Sequence, residues 1–184
     1  MRRTAARAGS GRRARVERPL SAAVRPQIDY RVTGRGWAAC DVRFGKAHCE
    51  ITASYISDAF GDLVRAAAAM ACGTQGVTVS FAEEPGEYRW VLTRLQASRV
   101  EVAILTLPHW HPGRADEFGE ELLRFACPLL EFGRAVMRAA NALQRLHGEA
   151  GYLAQWGKPF PGESLDDLRR GVAALKREAG AASR

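Results

Sequence analysis

The chain has 184 residues, 47% hydrophobic and 26% charged, which fits one ordinary globular domain with room for a core and argues against wholesale disorder. No apolar run approaches the roughly 18 residues of a membrane span, and Leu20 to Val24 is too short for a signal core of about 7–15 residues, so cytoplasmic residence is the expectation. The net charge of +7 lies in residues 1–26, where eight arginines stand against Glu17 alone; the rest is neutral by count, which excludes a uniformly basic binding domain.

The arm, residues 1–26, is rich in Arg, Ala, Gly and Ser with little apolar to bury, a composition that predicts disorder. Arg2, Arg3, Arg7, Arg12, Arg13 and Arg15 could contact nucleic acid, the composition could be that of a transit-like leader, or the arm could be a solvated extension. Arginine runs without interleaved aromatics carry little specificity, which favours the last. Cys40, Cys49, Cys72 and Cys127 include no C-x-x-C pair and read as reduced thiols without a structural disulfide.

Residues 27–184 read as a single α+β domain. Trp37 to Phe44 and Ala47 to Ala53 form a hairpin through Gly45 and Lys46, and Gly34-Arg35-Gly36 reads as a turn. From Tyr55 to Cys72, Ile56, Phe60, Leu63, Ala67 and Met70 recur at helical spacing, with Ser54 as N-cap and Gly73 as a left-handed stop. Val77, Val79 and Phe81, then Tyr88, Trp90 and Leu92, then Val100, Val102 and Ile104 alternate with mostly polar or small residues, predicting three antiparallel strands of a meander. The first two are joined at Glu83-Glu84-Pro85-Gly86, whose Pro-Gly order suits a type II turn. Glu120 to Ala126 leans to a further strand. Pro128 opens a helix with Leu129, Phe132, Val136, Ala140 and Leu143 on one stripe, ending at Gly148. A short piece from Glu149 to Trp156 follows, and then a last helix headed by a Ser164–Asp167 capping box. The expected architecture is an antiparallel β-meander sheet with one face covered by C-terminal helices and one central helix.

Motifs for chemistry are sparse. His109 and His111 could converge on a metal from an extended segment, but the third ligand, Asp116 or Glu117, is conjectural. Cys40, His48 and Cys49 are a weaker cluster, since adjacent residues of a strand face opposite sides. Glu83-Glu84 and Glu120-Glu121 are carboxylate pairs without a pocket, and no nucleophile elbow, H-E-x-x-H or phosphate loop is present. No catalytic residue and no cofactor is therefore assigned. The remaining candidates are aromatic and charged. Tyr88 and Trp90, with Tyr152 and Trp156, either line a groove between sheet and helix or fill the core, the commoner role at these periods. Glu87 and Arg89 alternate with the β-aromatics and should face outward, on a charged sheet face that suits a protein partner.

The segments ASYISDAFGDL (53–63), EPGEYRW (84–90), VAILTL (102–107) and GEAGYLAQW (148–156) give the chain, over most of residues 37–178, a resemblance to a set of small hypothetical proteins from actinobacteria and other GC-rich bacteria. The resemblance implies a shared fold and brings no catalytic residues with it. The general character is similar to accessory or immunity-type proteins that bind and block a protein partner. The functional expectation is thus a non-enzymatic protein-binding protein, with nucleic-acid association through the arm as the alternative and a small metal-dependent enzyme built on His109 and His111 behind it.

Overall fold

A computed structural model describes residues 24–96, 98–109 and 115–182. Among the described residues seven strands make two antiparallel sheets. Strands β1 (Gln27–Gly34), β2 (Trp37–Phe44) and β3 (Ala47–Ser54) form the first sheet in that order, and β4 (Gly76–Glu83), β5 (Gly86–Leu95), β6 (Arg99–Leu107) and β7 (Glu120–Pro128) form the second as a meander. Helix α1 (Ala59–Ala71) links the sheets, and α2 (Leu129–Trp156) and α3 (Gly162–Ala182) close the chain. The α+β class with antiparallel sheet is as expected.

Alternation along each strand explains the layering. In the first sheet Ile28, Tyr30, Ala38, Cys40, Val42 and Ile51 point inward and are buried, while Asp29, Arg31, Arg43 and Glu50 lie in solvent on the far side. In the second, Val79, Phe81, Trp90, Leu92, Val102, Ile104 and Phe125 point inward. Both inner faces share one core with the buried stripes of the three helices. Tyr30 lies at its middle, with ring centroids 4.6 Å from Phe60 of α1, 6.1 Å from Phe81 of β4 and 6.3 Å from Trp156 of α2, and Phe44 of β2 stacks on Phe125 of β7 at 4.7 Å.

Several local expectations are corrected. Strand β1, with Ile28 and Tyr30 inward, adds a third strand to the first hairpin, and Gly34-Arg35-Gly36 is the turn between β1 and β2. Ser54 ends β3 rather than capping a helix; α1 begins only after Asp58, because Ser57 is used elsewhere, its hydroxyl accepting the Ala82 N–H at 3.0 Å. Gly73 does take the left-handed conformation after α1, at φ +112°. The Glu84–Pro85 bond is cis and Gly86 does not adopt positive φ, so the turn is not type II. Gly86 is instead a close-approach residue: a Cβ there would lie 2.5 Å from the Leu107 carbonyl oxygen. Ser164 sits inside the first turn of α3, which starts at Gly162, so it is not a cap. Gly148 breaks α2 with φ 62° and ψ 177°, separating the 149–156 turn pair as expected.

Candidate binding face

Of the six residues expected to line a binding surface, the four on β5 divide by strand parity. Tyr88 and Trp90 point to the inner face of β5, whereas Glu87 and Arg89 point to the outer one. Trp90, Tyr152 and Trp156 are fully buried; Trp90 packs on Phe81 at 5.8 Å and Tyr152 meets Phe160 edge-on at 5.6 Å. These aromatics therefore fill the core. Burial pushes the Tyr152 phenol up, as it does that of Tyr30, and both stay neutral. Tyr88 is half-buried where the two sheets meet, beside Glu83, which accepts a 2.5 Å hydrogen bond from the Thr52 hydroxyl. Burial, and then the Glu83 charge, raise the Tyr88 phenol.

Glu87 and Arg89 do face the outer side, but they are not exposed: they retain only 2% and 5% of their surface. A 3₁₀ turn, Asp116–Phe118, leads into β7 and supplies one of their partners. Arg89 Nη1 donates to Asp116 Oδ1 at 2.8 Å and its Nη2 donates to Glu87 Oε1, while the Ser80 hydroxyl donates to Glu87 Oε2. Burial alone would lower the Arg89 guanidinium, but the hydrogen bonds to Asp116 and Glu87 and the charges behind them carry it above its ordinary value. Leu105 and Leu107, opposite Arg89 and Glu87 in the β5–β6 register, wall the clasp and are buried as well. Gly119 lets the return run close, since a Cβ there would lie 2.9 Å from Leu105 Cβ. The apolar run at 102–105 signalled this arrangement: a strand apolar on both faces is covered on both.

Leu105 of the clasp wall also borders a groove on the outer face, and it and Ala103 are 6% and 3% exposed there. A shallow groove of about 290 Å³ has Val91, Ala103 and Leu105 as its floor and Asp116, Glu117, Glu121 and Arg124 as its rim. Arg124 is held in place by two 2.7 Å hydrogen bonds, Nη1 to Glu101 Oε1 and Nε to Glu121 Oε2. Phe118 and Leu122, on the same turn and strand, are 57% and 38% exposed. Asp116, Glu117, Glu120 and Glu121 make this margin acidic. Among the described residues the polar groups of the lining are the carboxylates of Asp116, Glu117 and Glu121 and the Arg124 guanidinium, so it offers shape and charge.

The other candidates are dispersed. Cys40 is buried on the inner face of the first sheet and Cys49 half-buried, while His48 is exposed on its far side. Burial, with Asp41 nearby, lifts the Cys49 thiol to about 11, and burial lifts that of Cys127 to about 12. Glu83 is engaged with Thr52, and Glu121, on the rim of the groove, with Arg124. His109 follows β6; His111 and the arm residues Arg2, Arg3, Arg7, Arg12, Arg13 and Arg15 lie outside the described residues. Among the described residues no three His, Cys, Asp or Glu side chains are placed to hold a metal ion, and no helix is long and apolar enough to cross a membrane. Comparisons with protein-family models, curated proteins and solved structures found no match for this chain.

Proposed function

We propose that this chain is a non-enzymatic protein-binding protein of accessory or immunity-like character, and that it binds through the groove on the outer face of its second sheet. The observation that carries this reading is the composition of the groove: an apolar floor of Val91, Ala103 and Leu105 inside a mostly acidic margin of Asp116, Glu117, Glu121 and Arg124. Protein interfaces are built this way, with an apolar centre that excludes water and a charged rim that selects and orients the partner. The partner that fits presents an apolar side chain surrounded by Lys or Arg. The buried clasp has a supporting role. By tying Asp116 to Arg89 it holds the margin over the sheet before any partner arrives, which lowers the ordering cost of association.

A photo-crosslinking amino acid placed at Leu122 of the full chain, in cells of the source organism, tests the proposal. A polypeptide crosslinked by this chain, lost in Glu117→Lys/Glu121→Lys and retained when residues 1–23 are deleted, supports it. Crosslinking only to nucleic acid, or capture indifferent to the two charge reversals, contradicts it.

A further inference from the structure

We infer that the open edge of β4 is a self-association surface, on which a second copy of this chain adds its own β4 antiparallel to the first. Two hydrogen bonds establish which backbone groups face out. Ala82 N–H reaches away from β5 to the Ser57 hydroxyl, and the Gln75 carbonyl turns toward β5 to accept Arg94 N–H at 2.7 Å. Because N–H and C=O directions alternate along a strand, Gly76, Thr78 and Ser80 direct theirs away from the sheet. None of the three has a backbone partner on that side among the described residues.

The edge is also unguarded. Exposed edges are commonly protected by charge or proline. Strand β1 carries Asp29 and Arg31, β3 carries His48 and Glu50, and β7 carries Glu120, Glu121, Arg124 and Pro128. From Gly76 to Ala82, β4 carries none of these. Alongside runs a groove of about 390 Å³, walled by Asp62, Arg65, Ala66 and Ala69 of α1.

A second copy fits this edge better than an unrelated strand because the edge is its own complement. A two-fold axis through Thr78 sets Thr78 against Thr78 of the other copy and Gly76 against Ser80. All three open residues then pair, and the register stops where Ala82 is already committed to Ser57. The same axis brings the two α1 helices side by side. There the small Ala69 leaves room for approach, and Asp62 with Arg65 supplies both signs of charge to each side.

Sedimentation equilibrium of the full chain tests this at a site separate from the acidic face. The expected mass is twice that of one chain. It should fall to a single chain mass in Thr78→Pro, which removes only an outward N–H, and in Ala69→Arg, which fills the groove on the solvent side of α1. Under oxidation, Thr78→Cys in a Cys72→Ser background should crosslink to itself. A single chain mass for the wild type at its highest soluble concentration overturns the inference. So does a dimer that survives both Thr78→Pro and Ala69→Arg, or an edge that takes up an unrelated extended peptide while the chain stays monomeric.

Discussion

Arg89 and Glu87 show what a buried ion pair does on a sheet that also faces water. Both side chains are almost wholly enclosed, so removing one partner strands the other charge in a region of low dielectric. Arg89→Met should therefore destabilise the fold by about 3–5 kcal/mol in urea unfolding, whereas the double replacement Glu87→Leu/Arg89→Met should cost less than the single one. A double variant as damaged as the single would show that the pair is not the unit of stability. The thiols give a second test at this scale. Cys127 and Cys49 have folded values of about 12 and 11 against an ordinary 9.0. Thiol groups held protonated in the native state add stability that is complete below their unfolded value and fades as pH rises through the folded ones. Stability should accordingly fall between about pH 9 and 12, and the fall should shrink in Cys127→Ala measured relative to its own neutral-pH value. At neutral pH, alkylation followed by mass spectrometry should mark the exposed Cys72 first and Cys40 and Cys127 only on unfolding.

The helices meet through glycines, so their packing can be tested by adding single methyl groups. A Cβ at Gly171 of α3 would lie 2.6 Å from Ala71 Cβ of α1, and one at Gly133 of α2 would lie 2.7 Å from Val172 Cγ2 of α3. Gly171→Ala should lower stability by about 1–3 kcal/mol despite alanine's better helix propensity, because two packed helices must separate. Gly180→Ala, with nothing within 4 Å, should gain up to about 1 kcal/mol. Thermal unfolding of the two variants in opposite directions is the expected result. Most elements were legible from periodicity alone: the 3.6-residue stripe of α1, the 2-residue stripes of β4 to β6, and the Gly45-Lys46 hairpin all lie where the pattern placed them. Strand β1 was missed although Ile28, Tyr30 and Val32 alternate with Asp29 and Arg31, because it follows directly on the arginine arm and has no turn signal at its start. The sequence pattern starts α1 too early because Ser54 resembles a cap, whereas Ser54 ends β3 and α1 begins after Asp58.

For the whole molecule, parity predicted the direction of Glu87 and Arg89 but not their burial. Direction is a local property of an extended strand, whereas burial draws on the return of the chain at Asp116, a contact between residues 27 apart. The outer row of β6, with Ala103, Leu105 and Leu107 all apolar, was the only local sign of that return. The same return borders the groove of the outer face, and the account of binding rests on that groove. Hydrogen–deuterium exchange of the full chain alone and bound to its captured partner measures it most directly. Slowed exchange concentrated in 103–105 and 116–124 is the predicted result. Protection confined to the arm or to the helices, with these segments unchanged, would contradict it.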